Sequence, residues 1–260
     1  MQQPGAVYRY SRAIVRPPAD TVAGGLRAAD KGDPDVSLFR TEHDSYCNAL
    51  EGAGLEIVRL PQLPAYPDSV FVEDPALVLP EGAVLLRPGT ASRAGEGEHL
   101  VPTLEAFRPL VRLPQGHVDG GDILVTAREV VVGLSGRTDA EGFEALQAIL
   151  SRWGYTARRV TLPAGLLHLK TGCSLLDDTT VLVTADLAAS GLFGGYDLVV
   201  LPDGEAAAAN AIRVNDRVLV PAGFPRTAGL LADLDYDVIE VATSQAALLD
   251  GGLSCLSLRF

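Results

Sequence analysis

The feature that most constrains the fold of this chain is a unit that repeats along it. Short β-rich runs occur in pairs, and each pair leads toward a helical pattern and then another strand. Comparable second strands begin near Ala83, Glu129, Thr179 and Arg217, so their spacings are 46, 50 and 38 residues. These spacings favour a radial or stacked array of about five units over a Rossmann sheet, in which single strands alternate with helices. An ordinary irregular α+β domain is the alternative that the pattern leaves open.

The clearest unit lies in the middle of the chain. DILVTAREVVVGL (122–134) is typical of two strands around a tight turn. In the following segment, TDAEGFEALQAILSRWG, Thr138 and Glu141 have the spacing of a helix capping box, and Gly154 marks the end of the helix. YTARRVTL (155–162) then supplies the closing strand.

The end of the chain predicts how the array closes. The tail LSCLSLRF has no helix or strand partner after it. We therefore expect it to complete the first unit, which consists of RAIVRP, the helix across DVSLFRTEHDSYCNALEGAG, and LEIVRLP. Closing a ring in this way would place Cys255 near the centre. No low-complexity linker divides the chain, so we expect a single domain over residues 1–260.

Composition limits the possible partners. With 260 residues, 47% of them apolar, the chain can fill a substantial core. Its formal net charge of −12 leaves no basic stripe for phosphates, which argues against nucleic acid and anionic membranes as partners. A small cationic ligand suits this charge better.

Location and thiol state follow from what the sequence lacks. No apolar run approaches the roughly 20 residues of a membrane span, and the start MQQPGAVYRYSRAIV lacks the apolar centre of a signal peptide. We therefore expect a cytoplasmic protein. Its cysteines, Cys47, Cys173 and Cys255, are too few and too scattered for a disulfide framework, and no paired spacing suggests zinc. Reduced thiols and no bound metal are expected.

Cys255 is the candidate nucleophile among these thiols. Packing explains Cys47, which lies on the apolar side of its helix, and it also suits Cys173. Cys255 differs because Gly251 and Gly252 precede it and permit a close approach by substrate or a neighbouring loop. A small buried core residue remains the alternative reading.

A thiolate nucleophile needs a proton shuttle at neutral pH, and four histidines are available. His43 and His99 have polar surroundings, and we expect both to be solvated. His117 begins a strand two residues before Asp119 and remains possible. His168 is an isolated polar residue in an apolar run, which fits either a core histidine or a catalytic one.

Acidic residues indicate what the site could bind. DSVFVEDPALV contains Asp68, Glu73 and Asp74, and strand alternation would turn the last two to opposite faces, so at least one points inward. A buried carboxylate needs a cationic partner. Together with Asp119 of VDGGDIL, these residues could form a pocket selective for a guanidinium or ammonium group. Surface charges, or pairs with internal arginines, are the alternative.

Taken together and in this order, several segments resemble the dimethylarginine dimethylaminohydrolases of the guanidino-group-modifying superfamily. The segments are RAIVRPP, GGLRAADKGDPDVSLFRTEHDSY, DSVFVEDPALV, LLRPGTASR, DGGDILVTAREVVVGLSGRTDAEG, LLHLKTGCS and GGLSCLSLRF. The resemblance spans nearly the whole chain. It implies a pentein-type α/β propeller of five pseudosymmetric ββαβ units.

The resemblance also implies a role for each matching residue. Cys255 matches the nucleophile, His168 the general acid/base, and Asp119 a third catalytic position at which members have Glu or Asp. Six further residues match substrate-binding positions. They are Asp68, Glu73 and Asp74 for the guanidinium, Arg93 and Arg137 for the amino-acid end, and Leu26 in a segment that covers the substrate.

The implied reaction is hydrolysis of an N-omega-methylated L-arginine to L-citrulline and dimethylamine or methylamine through a covalent thiouronium on cysteine. We expect no cofactor, because this reaction requires no redox step or electrophilic metal, and either a monomer or a homodimer, between which the sequence does not decide. Two other functions stay open. One is an arginine deiminase-type hydrolase that acts on unmethylated arginine or another guanidino compound. The other is a non-catalytic propeller that binds a partner, as a ribosome-associated initiation factor of this fold does.

Overall fold

The computed structural model describes residues 6–260, which contain fifteen strands and six α-helices. The strands are, in chain order, β1 (Arg12–Val15), β2 (Glu56–Arg59), β3 (Ala76–Leu79), β4 (Gly82–Leu85), β5 (Leu110–Arg112), β6 (Ile123–Val125), β7 (Val130–Leu134), β8 (Ala157–Thr161), β9 (Cys173–Leu175), β10 (Thr180–Val183), β11 (Asp197–Val200), β12 (Ile212–Val214), β13 (Arg217–Pro221), β14 (Asp237–Val241) and β15 (Leu258–Arg259). The helices are α1 (Val36–Gly52), α2 (Val101–Phe107), α3 (Ala140–Arg152), α4 (Ala185–Ala189), α5 (Pro225–Asp233) and α6 (Ser244–Ala247).

The strands form five sheets of three with one shared topology. In each sheet the middle strand pairs antiparallel with one neighbour and parallel with the other, as β7 does with β6 and β8. A parallel neighbour requires a crossover connection, and here a helix supplies it in every unit. The five-unit α/β propeller is confirmed. The four middle strands whose starts the sequence predicted begin within one residue of the expected positions.

The tail of the chain completes the first sheet, as predicted. β15 pairs antiparallel with β1, with Ala13 opposite Arg259 and Ile14 opposite Leu258. The backbone N–H groups of Ser11 and Arg12 donate to the carbonyl of Phe260 at 2.9 and 2.8 Å. Non-covalent strand pairing therefore closes the ring.

The start of α3 differs from the predicted capping box. Asp139 is the N-cap, and its carboxylate accepts the N–H of Gly142 at 2.7 Å. The Thr138 hydroxyl instead donates to the buried carboxylate of Asp122 at 2.7 Å. The prediction of Thr138 as the helix cap was therefore wrong, because its hydroxyl is hydrogen-bonded to Asp122 instead. The helix ends as expected, with Gly154 at a φ of +86°.

The candidate residues share one end of the ring. Each sheet has one edge strand whose residues line the cavity at the centre of the ring. We call these five strands, β3, β6, β9, β12 and β15, the inner strands. A short 3-10 turn precedes each of them, namely Pro67–Val70, Gly120–Asp122, Leu169–Thr171, Ala206–Ala209 and Ser254–Leu256. Residues far apart in sequence thus meet where these turns converge.

One predicted strand is wrong in this region. Residues 71–75 form turns, and the strand begins only at Ala76. Both Glu73 and Asp74 are buried in this turn, although the alternation argument required only one of them to point inward. No helix among residues 6–260 has the length and apolar character to cross a membrane. The start of the chain, where the sequence predicts no signal peptide, includes residues 1–5, which lie outside the described part.

Candidate active site

The turn Ser254–Leu256 positions Cys255 at the end of the ring. Cys255 is partly exposed, whereas Cys47 and Cys173 are buried, and all three are free thiols. A Cβ atom at position 251 would lie 2.3 Å from the Phe71 ring, and one at position 252 would lie 2.5 Å from Asn210 Oδ1. The predicted close approach of neighbouring loops is therefore confirmed, and it is the reason for both glycines.

The Cys255 thiol is protonated at neutral pH in the structure as it stands. Burial raises its pKa to about 12, and the charges of Glu73 and Asp74 add to this effect. The Gly252 N–H, 3.5 Å from Sγ, and the charge of Lys170 act in the opposite direction but are weaker. A cation brought next to the sulfur would favour the thiolate.

His168 is held by a buried carboxylate. Its Nε2 lies 3.2 Å from Oδ2 of Asp119, and Oδ1 of Asp119 accepts the N–H of Gly89 at 2.8 Å. Burial lowers the pKa of His168, but the Asp119 bond and the charge of Asp74 outweigh it, so the pKa is raised. Asp74 also raises the pKa of Cys255, so thiol and imidazole both lie within electrostatic reach of one carboxylate.

Arg93 organises a buried group of carboxylates. Its Nε and Nη2 donate to Glu96 at 2.9 and 2.7 Å, its Nη1 pairs with Asp74, and Nη2 also donates to the Phe71 carbonyl at 2.8 Å. The prediction that Arg93 binds the amino-acid end of a substrate stays a prediction, because its guanidinium is occupied here by protein groups.

This group has an excess of negative charge. Burial raises the pKa of Asp68 and of Glu96 despite the opposing charge of Arg93. Burial also raises the pKa of Asp74, but Arg93 outweighs it and lowers that pKa. Arg93 is thus ion-paired with Asp74 and Glu96, with Asp68 as a third carboxylate nearby, and a further cation would offset their burial.

Glu73 faces away from its neighbour Asp74. Its Oε1 pairs with Lys170 and, at 3.4 Å, with Arg259, while its Oε2 accepts the Ser254 hydroxyl at 2.8 Å. The two adjacent carboxylates therefore belong to different clusters. The sequence argument that they face opposite ways is right, although a turn rather than a strand separates them.

The two remaining predicted residues lie at the edge of the site. The N–H of Leu26 donates to Oδ1 of Asp68 at 2.9 Å. The charge of Arg137 lowers the pKa of Asp68, so its guanidinium is within reach of the same carboxylate. Within residues 6–260 this guanidinium has no hydrogen-bond or ion-pair partner, so it is free to bind an anionic group.

Three histidines lie outside the site. His117 pairs with Asp139 at 3.1 Å beside the start of α3, and both are about half exposed. His99 is exposed as expected, with its ring centroid 5.8 Å from that of Tyr66. His43 is not solvated as predicted; it is buried on the inner side of α1, and burial lowers its pKa to about 4.

Sequence reasoning missed several residues that shape the site. Glu96 pairs with Arg93 at a spacing of three residues, a pattern that the sequence could have revealed. Lys170 follows His168 by two residues in the same turn. Asp250 accepts the backbone N–H of Ala28 and pairs with Lys31 at 3.2 Å, and no local sequence signal indicates this contact. We call residues 23–33, which contain Leu26, the lid segment.

Asp74, Asp119 and His168 also offer ligand atoms within 4.8 Å of one another, an arrangement that could hold a metal ion. The ion pair between Asp74 and Arg93, and the contact between Asp119 and His168, account for this proximity within the protein itself.

A free cysteine and a carboxylate-bound histidine, at one end of a ring of five ββαβ units, define a protein of the guanidino-group-modifying propeller class. The chain is 39% identical over 255 residues to N(G),N(G)-dimethylarginine dimethylaminohydrolase of Pseudomonas aeruginosa. The alignment covers 96% of this chain and 100% of that protein. The chain therefore belongs to the dimethylarginine dimethylaminohydrolase family.

Solved structures agree with this assignment. A cysteine-to-serine mutant of the Pseudomonas aeruginosa enzyme, in complex with citrulline, superimposes with a TM-score of 0.94 at 39% identity over 97% of this chain and 100% of that one. A histidine-to-glycine dimethylarginine dimethylaminohydrolase, as an adduct with S-methyl-L-thiocitrulline, gives 0.93 at 39% identity over 96% and 100%. Residues 105–197 match the family model described as arginine deiminase.

Proposed function

We propose that this protein hydrolyses N-omega-methylated L-arginine, as asymmetric dimethylarginine or monomethylarginine, to L-citrulline and dimethylamine or methylamine. The observation that carries the proposal is that the Cys255 thiol and the His168–Asp119 pair both lie within electrostatic reach of the buried carboxylate of Asp74, which is ion-paired with Arg93. The relative of known structure that binds citrulline supports this choice of product.

The charges fit a substrate with a cation at one end and a carboxylate at the other. The methylated guanidinium offsets the excess charge of Asp68, Asp74 and Glu96. The α-carboxylate pairs with Arg137, whose planar guanidinium suits bidentate binding and has no protein partner within residues 6–260. Leu26 in the lid segment lies beside Asp68 and covers the substrate from that side.

Substrate binding activates the nucleophile. A cationic guanidinium next to Cys255 opposes the charges of Glu73 and Asp74 that keep its pKa near 12. The thiol then releases its proton to solvent, and the thiolate attacks the guanidinium carbon. Activation by the ligand would leave the free enzyme with an unreactive thiol.

Two proton transfers by His168 complete the reaction. In the first step its protonated ring donates to the departing methylamine or dimethylamine, because an amine leaves far more readily once protonated. A thiouronium remains on Cys255. The neutral ring then takes a proton from water, whose oxygen attacks the same carbon; the C–S bond breaks and releases L-citrulline. Asp119 orients the ring, consistent with its 3.2 Å contact.

Citrulline formation from asymmetric dimethylarginine, monomethylarginine and arginine tests the proposal directly. We expect turnover of the methylated substrates, abolished in Cys255→Ser and retained in Cys47→Ala, because the Cys47 side chain is fully buried in the core and out of reach of a substrate. Faster turnover of arginine would assign the chain to arginine deiminase-type chemistry. Normal citrulline formation by Cys255→Ser would refute the nucleophile.

The remaining expectations are part of the same proposal. We propose that residues 1–260 act as one catalytic domain, in the cytoplasm, as a monomer or homodimer. The ring closure through β15 supports a single unit over the described residues. Analytical ultracentrifugation of the full chain measures the oligomeric state.

A further inference from the structure

A cavity of about 720 Å³ runs along the axis of the ring. Residues of all five inner strands line it, so we call it the central channel. Glu73, Lys170 and Ser254 lie at its inner end, whereas Cys255, His168 and Asp119 do not line it. The central channel is therefore a compartment separate from the candidate active site, with Glu73 at the boundary.

The inner end of the channel carries excess positive charge. Lys170 and Arg259 share the single carboxylate of Glu73, and their side chains are 14%, 12% and 6% exposed, respectively. Burial lowers the pKa of Arg259, but neighbouring tyrosines and Glu73 outweigh it, so the guanidinium stays charged. Two buried cations facing one carboxylate leave a net charge of about +1, which is costly unless an anion offsets it.

Polar groups without protein partners occur at the same end. Arg259 uses its donors on Ser257, the Ser254 carbonyl and Glu73. Lys170 has Glu73 as its one hydrogen-bond acceptor within residues 6–260, so two of its three N–H groups have none. Ser174, a buried lining residue on β9, has a hydroxyl without a partner in the same part of the chain. A bound anion would accept from both side chains.

The walls and the mouth indicate what kind of anion fits. The walls are apolar and include Leu77, Ile123, Leu175 and Ile212. At the mouth the guanidiniums of Arg108 and Arg213 lie over the rings of Phe260 and Tyr8, 5.3 and 5.1 Å from the centroids. Neither is ion-paired with a carboxylate of residues 6–260. Arg9, Arg108 and Arg213 outnumber Glu81, the one other carboxylate residue of the lining, so the lining favours anions although the chain has a net charge of −12.

We propose that the central channel binds a small monocarboxylate with an apolar chain. The carboxylate lies against Lys170 and the Ser174 hydroxyl, and the apolar chain lies along the inner strands. Binding involves no covalent step and does not depend on the reaction at Cys255.

Calorimetric titration of the full-length protein with hexanoate tests this site, with hexanamide as the matched neutral probe. Hexanoate is expected to bind at least about tenfold more tightly than hexanamide, because a charge-assisted contact contributes more than a neutral one. Lys170→Met should weaken hexanoate about tenfold. Leu77→Trp, which fills the channel without changing charge, should abolish binding. Arg112→Met removes an exposed cation paired with Glu98 and should change nothing.

Three results would overturn the proposal. They are equal binding of the two probes, unchanged hexanoate affinity in both Lys170→Met and Leu77→Trp, or complete displacement of hexanoate by citrulline. The last result would place hexanoate in the Cys255 site. Because the titration does not use turnover, a failed citrulline assay would leave its outcome interpretable.

Discussion

At the scale of single residues, the imidazole of His168 is fixed between a carboxylate and a glycine. Asp119 holds Nε2, and a Cβ atom on residue 121 would lie 2.8 Å from Nδ1. The Asp119 contact favours the protonated ring, and the absence of a side chain at Gly121 leaves space for the ring. Separate substitutions at Asp119 and Gly121 can test these two contacts.

The first prediction concerns Asp119→Asn. Asp119 contributes to the raised pKa of His168, so its loss lowers that pKa. In the proposed mechanism amine release needs protonated His168, so turnover is present below its pKa and lost as pH rises through it. We expect the alkaline limb of the kcat–pH profile to shift to lower pH. Asp139→Asn, which alters the exposed pair with His117, is the control. An unshifted limb in Asp119→Asn would exclude this role.

The second prediction concerns Gly121→Ala. The added methyl group must displace the His168 ring, and a displacement of about 1 Å can reduce kcat about 100-fold. Gly136→Ala is the matched control, because nothing lies within 4 Å of a Cβ atom there and its φ is not positive. Steady-state kinetics and circular dichroism of both variants separate misplacement from unfolding. Equal kcat values would show that the ring does not depend on this contact.

Residue types alone indicated part of the site. Cys255 was singled out by its glycines, and the resemblance added the roles of His168 and Asp119. The partners of these residues could not be read in advance, because Lys170 meets Glu73 across 97 residues of chain. The prediction that His43 is solvated was wrong for a related reason. Thr41, Asp44 and Ser45 lie on the outer side of α1, while the helix turns His43 itself toward the core.

At the scale of elements, the lid segment is fastened to two different loops. The N–H of Leu26 donates to Asp68, and the N–H of Ala28 donates to Asp250, which also pairs with Lys31. Asp250 has a φ of +56° and precedes Cys255 by five residues. The segment that contains Leu26 is thus tied to the loop that leads to Cys255.

The third prediction concerns Asp250→Ala. Without this carboxylate the lid segment loses one of its two anchors and opens more often. We expect faster tryptic cleavage after Arg27, because proteolysis follows local opening. We also expect a higher KM with a smaller change in kcat, because the open segment contributes less to substrate binding. Asp216→Ala, which removes an exposed partner of Arg9, is the control. Unchanged cleavage and KM would show that Asp68 alone holds the segment.

Elements were predicted where their signal is local. The middle strands are short apolar runs, and turn residues bound them on both sides. Residues 71–75 were mistaken for strand because their apolar residues continue directly into β3. The ion pairs of Asp74 with Arg93 and of Glu73 with Lys170 stabilise the turn. These contacts form only in the folded ring.

At the scale of the whole molecule, stability depends on the last strand. Leu258 of β15 is buried in a cluster with Ile14 of the first sheet and Ala76 and Ala83 of the second. It therefore joins the unit that it completes to the next one. The five-unit count could be predicted from the spacing of strands, but this contact between the units could not.

The fourth prediction concerns Leu258→Ala. Removing a buried leucine side chain should lower the free energy of unfolding by about 2–5 kcal/mol. Val200→Ala is the matched control, because Val200 is 43% exposed on β11 and should change stability by less than about 0.5 kcal/mol. Urea unfolding measures both variants. Equal losses would mean that closure through β15 contributes little.

Glu73 and Asp74 are joined by one peptide bond, yet their carboxylates serve the central channel and the candidate active site, respectively. Adding or deleting a single amino acid just before them would move one acid into the other's place and leave the second place without its carboxylate, so that Arg93 or Lys170 loses its partner. Length variation among relatives should therefore be absent here and concentrated in solvent-facing turns such as those at Gly191 and Gly223, where no atom lies within 4 Å of an added Cβ.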